Sequence, residues 1–229
     1  MKTDKQIHID VLEALKFDPQ ISEQNIAVAV KDGIVTLSGE VETHAQKVQV
    51  EQVVKRVIGV RGFAEELQVN PPMRHHRTDQ DIVEAALHAL KWNVLIPADK
   101  IQVKVEHGWV TLFGEMAWNF ERESAYDAVR FLTGVRGVSN KTTVKPHIAP
   151  TDVKAKIVQA FERGARQEAQ NINIKVEGGT VILEGSVPTW AEYDEAEHAA
   201  WSAAGVSEVQ NMLVVNTLAA KATTIADPA

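Results

Sequence analysis

Apolar residues in this chain fall into two alternating periods, and the alternation itself recurs. Over residues 4–17, Ile7, Val11, Leu12 and Leu15 share one stripe, which predicts an amphipathic helix. Asp18-Pro19 ends it, because the residue before proline avoids the α region. Ile26, Val28 and Val30 then alternate with Ala27, Ala29 and Lys31, the period of a half-buried strand. Asp32-Gly33 predicts a tight hairpin, since glycine supplies the positive φ of the primed turns. The return strand, 34–38, turns Val35 and Leu37 inward, and Gly39 closes it. Thr43-His44-Ala45-Gln46 fits a capping box, with the threonine hydroxyl on the N3 amide and the glutamine reaching back. That helix runs to about Ile58 with Val50, Val53, Val54 and Val57 buried. Gly59 stands where a helix C-terminal glycine belongs. A last strand over 63–69 carries Phe63, Leu67 and Val69.

The whole order returns twice. Gly33-Ile34-Val35-Thr36-Leu37-Ser38-Gly39 becomes Gly108-Trp109-Val110-Thr111-Leu112-Phe113-Gly114, then Gly179-Thr180-Val181-Ile182-Leu183-Glu184-Gly185. The copies are offset by 75 and 71 residues. A second marker, Gly59-Val60-Arg61-Gly62, Gly134-Val135-Arg136-Gly137 and Gly205-Val206-Ser207-Glu208, begins 20 residues after the first marker's closing glycine each time. In the second copy, Ile82, Ala86, Leu87 and Leu90 make the first stripe. Ile101, Val103 and Val105, then Val110 and Leu112, make the hairpin; a helix follows at 119–133 and a strand at 138–144. In the third, Val153, Ile157, Val158 and Phe161 make the stripe. Ile172, Ile174 and Val176, then Val181 and Leu183, make the hairpin; Thr189-Trp190-Ala191-Glu192 caps a helix at 190–204, and Leu213 and Val215 lie on the last strand.

The prediction is an α+β protein of three tandem α-β-β-α-β units, each a small three-stranded mixed sheet with two helices on one face. The units span residues 1–70, 79–145 and 151–217, joined by linkers at 71–78 and 146–150 and followed by a tail at 218–229. Gly33, Gly39, Gly59, Gly108, Gly114, Gly134, Gly179, Gly185 and Gly205 are its turn and cap positions.

Composition narrows the function. A unit of this size buries only about 60% of its unfolded surface, so the units are expected to pack on one another, or the chain to form homo-oligomers. The net charge is −7, unlike the basic footprint of a nucleic-acid binder. It repels anionic lipid as a whole, although a local patch can still dock. The chain has no cysteine, hence no disulfide or thiol chemistry. Its first residues lack the apolar segment of a signal peptide, and no uncharged apolar run approaches the roughly 20 residues of a membrane span. A soluble, cytoplasmic protein is expected, or a periplasmic one if a leader has been removed.

The search for reactive groups is short. None of the eight histidines has the spacing of a helical metal pair with a third ligand nearby. His75-His76 sit between Arg74 and Arg77, a solvated cationic linker. The glycine motif lies within a hairpin rather than between a strand and a helix, so it is not a phosphate loop. No catalytic, cofactor-binding or metal set is predicted. The second unit differs from its siblings by its rings. Trp109 stands for Ile34 and Thr180, Phe113 for Ser38 and Glu184, Trp118 for Thr43 and Thr189, Tyr126 for Glu51 and Glu197, and Phe131 for Arg56 and Ser202. Trp109 and Phe113 alternate with the inward Val110 and Leu112 and so face away from the helices. These five form a candidate interaction patch for a membrane surface, a protein partner or an apolar ligand. The other reading is that they pack against sibling units or a second chain.

The paired markers resemble those of the BON domain, named for bacterial osmotically inducible protein Y and nodulation. Residues 32–41 with 59–62, 107–115 with 134–137, and 178–187 with 205–206 carry the resemblance. The third copy departs at Ile182, Glu184 and Ser207-Glu208. The resemblance implies a non-catalytic binding module of stress-related envelope proteins, proposed to contact phospholipid or envelope partners. It brings no catalytic or fixed lipid-contact residues with it.

Overall fold

The computed structural model describes residues 2–145, 172–177, 179–203 and 205–216. The first unit runs α1 (Asp4–Phe17), β1 (Ile26–Lys31), β2 (Ile34–Val41), α2 (His44–Lys55), β3 (Gly62–Val69). The second runs α3 (Asp79–Trp92), β4 (Ile101–Glu106), β5 (Trp109–Met116), α4 (Asn119–Arg130), β6 (Gly137–Asn140), β7 (Thr143–Val144). The third shows β8 (Ile172–Glu177), β9 (Thr180–Val187), α5 (Trp190–Trp201), β10 (Glu208–Val215). The stripe of Val153, Ile157, Val158 and Phe161, the second linker and the tail lie outside the described residues.

The α+β reading of three separate mixed sheets holds. In each sheet the hairpin strands are antiparallel and the third strand lies parallel to the second: β1-β2-β3, β4-β5-β6 with β7 continuing beside β5, and β8-β9-β10. A parallel return needs a crossover, which α2, α4 and α5 supply. Helices cover one sheet face. Ile7, Val11 and Leu15 of α1 bury with Val35, Leu37, Val50 and Val54. Ile82, Ala86 and Leu90 of α3 bury with Val110, Leu112, Ala125 and Val129. The cores are built on matched positions with exchanged volumes. Val41 and Val50 of the first unit become Met116 and Ala125 of the second, all buried, as a fixed core volume requires.

The two recurrent markers turn out to be one joint. Asp32 and Gly33 have φ of 54° and 75°, the pair of positive angles of a type I′ turn. The turn's Gly33 carbonyl accepts from Arg61 N at 2.9 Å, Gly108 from Arg136 N at 2.9 Å, and Gly179 from Ser207 N at 2.8 Å. The fixed gap of the sequence is the length of chain needed to bring the third strand back to that carbonyl. An aspartate clamps the same turn from the first helix. Asp4 accepts from the Asp32 and Gly33 amides, and Asp79 from those of His107 and Gly108, each at 2.8 Å. These amides, Gly108 first and His107 next, hold the Asp79 carboxyl below its usual range.

Several sequence expectations are corrected. Leu12 and Leu87 are exposed, because the buried line follows i, i+4, i+8 and the fifth residue on rotates out of it. Gly39 does not end its strand; β2 continues to Val41, and a Cβ on Gly39 would collide with the Asn25 carbonyl oxygen. The crossover helices stop at Lys55, Arg130 and Trp201, short of 58, 133 and 204. The Thr43 box is half a box: Thr43 Oγ1 accepts from Gln46 N, but Gln46 Oε1 accepts from Glu42 N. At α4, Glu121 alone accepts from the Ala117 and Trp118 amides, since an indole offers no acceptor. A full box forms at α3, between Thr78 and Asp81, and at α5 Thr189 Oγ1 accepts from Glu192 N. The strand over 138–144 breaks into β6 and β7, where the Asn140 side-chain oxygen accepts from Thr142 N and Oγ1 and the chain turns locally.

The units pack through their crossover helices. The start of α5 meets the end of α2: Asp194 Oδ2 lies 2.8 Å from Lys55 Nζ, and Trp190 sits edge-on to Phe63 at 6.0 Å. The start of α4 meets the end of α5: the Arg122 guanidinium lies 5.9 Å from the Trp201 ring, and Glu123 lies 3.4 Å from His198. The start of α2 meets the end of α4, where His44 and Arg130 line one cavity. Start meets end three times, so the contacts close into a ring. Burial pulls the Lys55 ammonium down, but hydrogen bonds to Asp194 and Glu51 outweigh it and raise its pKa.

Candidate interaction site

The five rings of the second unit occupy three places. Trp109 and Phe113 stand on the open face of β5, 48% and 36% exposed. They are four residues apart, about 13 Å along an extended strand. The Trp109 indole lies across Gly137, where a Cβ would collide with it, and its Nε1 donates to Ser139 Oγ at 2.9 Å. Gly62, the matching glycine of the first unit, has open space above it. Lys141 Nζ lies 5.9 Å from the Phe113 ring. Gln102, Lys104 and Glu106 stand opposite Phe113, Thr111 and Trp109 on β4, so polar groups rim the rings.

Trp118 stands at the N-cap position of α4 and stacks on Phe120 with ring centres 6.5 Å apart. Tyr126 and Phe131 flank Arg130 at the helix's other end, 5.3 and 4.4 Å from its guanidinium. Phe131 lines the cavity against the first unit. The fold thus brings Tyr126 and Phe131 together on one cation, while Trp118 stands at the opposite end of the helix.

The most exposed apolar side chains were not singled out in the sequence. Trp92 is 82% and Val94 96% exposed, with Leu95 beside them also in solvent. They form a tip where α3 ends. Phe17, at the matching position of the first unit, is 92% exposed. Each tip is fixed by an aspartate-type turn: Asn93 Oδ1 accepts from Leu95 N at 3.0 Å, and Asp18 Oδ1 from Gln20 N at 2.9 Å. His88 stacks on Trp92 at 5.5 Å. A shallow, open groove of about 590 Å³ runs from Trp92 and Val94 to Ala128 of α4. Lys91 and Lys16 stand exposed immediately before the two rings. The available signal was phase: Trp92 falls two residues after Leu90 and off the Ile82–Ala86–Leu90 line, so it cannot share their core.

Among the described residues no group of three or more histidine, aspartate or glutamate side chains is placed to hold a metal, and no helix is long and apolar enough to cross a membrane. Lys55, paired with Glu51 and Asp194, serves a joint between units.

Comparison with known proteins agrees with the architecture. Osmotically-inducible protein Y of Escherichia coli K12 is 26% identical over 146 residues, 62% of this chain and 73% of that protein. Two solved structures of CdsD, a structural protein of the type III secretion system of Chlamydia trachomatis, align with TM-scores of 0.25 and 0.23. Their identities are 14% and 13%, over 94% and 96% of this chain and 100% and 98% of theirs. Those scores are too low to carry a comparison of folds. The BON domain family matches residues 3–71, 78–146 and 151–217. With three matches over nearly its whole length, each enclosing one hairpin-crossover joint, the chain belongs to the BON domain family and carries its unit three times in tandem.

Proposed function

We propose that this chain is a non-catalytic, stress-associated binding protein that docks on a phospholipid surface through the apolar tip of its second unit. One observation carries the reading: Trp92 and Val94 are almost fully exposed at one point, with Leu95 beside them and Lys91 behind. An amphipathic ring suits the boundary between headgroups and acyl chains. Apolar neighbours can enter that boundary, and a lysine stem can lie along it with its ammonium in water. The likeness to an osmotically inducible protein supports the association with stress.

Because the whole molecule is acidic, attachment is driven by apolar burial and persists in high salt. Co-sedimentation with vesicles of phosphatidylcholine and phosphatidylglycerol tests this. Burying a large apolar side chain contributes about 1.5–3 kcal/mol, so Trp92→Ala is expected to weaken binding by about tenfold or more. Trp109→Ala and Phe113→Ala, run alongside, measure any share of the sheet face. An absence of binding at every lipid composition sinks the proposal.

A second reading, assembly of the molecule itself, has support at the other end of the unit. Phe131 is 56% exposed but lines a cavity against the first unit, which supports packing between siblings for this ring.

A further inference from the structure

On the open face of the second sheet a tryptophan is laid flat and held there. Gly137 pairs with Trp109 on the neighbouring strand, and a Cβ on Gly137 would collide with the indole. Three adjacent carbons of its six-membered ring, Cε3, Cζ3 and Cη2, stand at nearly the same distance from that Cβ position, which places the glycine beneath the ring's face rather than its edge. The Nε1–H donates to Ser139 Oγ at 2.9 Å and fixes the ring's rotation within its plane. One face of the indole is spent on the sheet; the other looks outward from a residue 48% exposed. Ring, glycine and hydroxyl form a set that the siblings lack. The matching positions are Ile34, Gly62 and Ala64 in the first unit and Thr180, Glu208 and Gln210 in the third.

The surroundings say what such a platform suits. Phe113 offers a second ring on the same face, about 13 Å along the strand. Thr111 stands between the rings and Gln102 beside them, with Lys104 paired to Glu106 at 3.0 Å. Lys141 lies 5.9 Å from the Phe113 ring. This rim mixes donors and acceptors, the complement of a ligand dense in hydroxyls. A ring pressed flat cannot project into acyl chains as Trp92 does. A nucleic acid strand meets a chain of net charge −7, the opposite of a basic footprint. A neutral pyranose fits both features. Its C–H groups carry partial positive charge toward the negative face of an indole, while its equatorial hydroxyls reach sideways to the rim.

The geometry points to this sheet face as a binding site for a neutral oligosaccharide of β-linked pyranose units, with one sugar stacked on Trp109, another on Phe113, and the rim hydrogen-bonding the hydroxyls between them. The site stands apart from the lipid-docking tip and does not rest on it.

The test uses the full chain with 15N-labelled tryptophan, in which the Trp109 indole N–H is identified by its loss in Trp109→Ala. Soluble hexamers of β-linked N-acetylglucosamine and of β-linked glucose are the probes. At least one is expected to shift the Trp109 signal saturably, and the free monosaccharide to bind at least tenfold more weakly, because it meets one ring only. Phe113→Ala should weaken the hexamer at least tenfold. Gly137→Ala keeps the indole but lifts it from its seat, so it should weaken binding at least tenfold as well, whereas unspecific apolar adhesion would persist. Should Gly137→Ala fail to fold, Phe113→Ala decides, since its ring stands on the open face. No Trp109 shift with either hexamer, or an undiminished one in the variants that fold, overturns the site. A shift with phosphatidylglycerol vesicles or a single-stranded oligonucleotide, and none with the hexamers, overturns it too and assigns the face to that class. The Trp92 indole signal follows lipid docking separately, so the two readings can fail independently.

Discussion

His44 is a neutral side chain in a place where its charge would be costly. Burial and the nearby Lys47 and Arg130 lower its pKa from 6.5 to about 4. The unfolded chain therefore binds a proton in the interval where the folded chain does not, and stability rises with pH across it. As pH falls from about 6.5 the chain loses stability, and the loss levels off below about 4. A tenfold change in proton affinity corresponds to about 1.4 kcal/mol, so the full effect is at most roughly 3 kcal/mol. Urea unfolding midpoints measured from pH 7 to pH 4 should show this slope in the wild type and a flatter one in His44→Gln. Equal slopes would mean that other groups govern the acid response. No sequence pattern hints at it, because burial of a helix N-terminal histidine depends on a sibling unit more than 70 residues away.

At the scale of single elements the sequence was largely legible. Val35, Leu37, Val110, Leu112, Val181 and Leu183, all read as inward, are fully buried, since a period of two leaves a strand little choice of face. Boundaries were harder. Gly39 and Gly114 look like strand ends, yet each sits within its strand at φ of 123° and 149°, where only glycine lets the neighbouring strand's backbone come close. Gly114→Ala would bring a Cβ against the Lys100 carbonyl oxygen. It should cost about 2–4 kcal/mol, more than any surface exchange, visible as an earlier thermal transition; an unchanged transition would show that β5 can bend away. The exposed tip at Trp92 was missed for a related reason. Periodicity reports which residues are buried and is silent about a ring placed just past the helix's last buried turn.

At the scale of the molecule the joints between units were not legible, because they use different chemistry at matched places: an ion pair and a ring contact at Lys55, Asp194 and Trp190, a cation over a ring at Arg122 and Trp201, and a cavity at His44 and Arg130. No repeated motif announces them. Trp190 is the ring to remove. It packs on the core of the first unit from the start of α5, and truncating such a side chain costs about 3 kcal/mol of coupling. Calorimetry of Trp190→Ala should resolve a separate early transition for the third unit, where the parent melts more cooperatively. A single unchanged peak would place the coupling elsewhere.

Because every crossover helix gives its beginning to one sibling and its end to the other, three is the number at which this handshake is complete. Two such units in a row would leave an unmatched beginning and an unmatched end, and could meet those needs only by borrowing from another molecule. A head-to-tail contact that fails to close grows into open polymers. With the third copy present, each of these starts and ends is occupied within one chain.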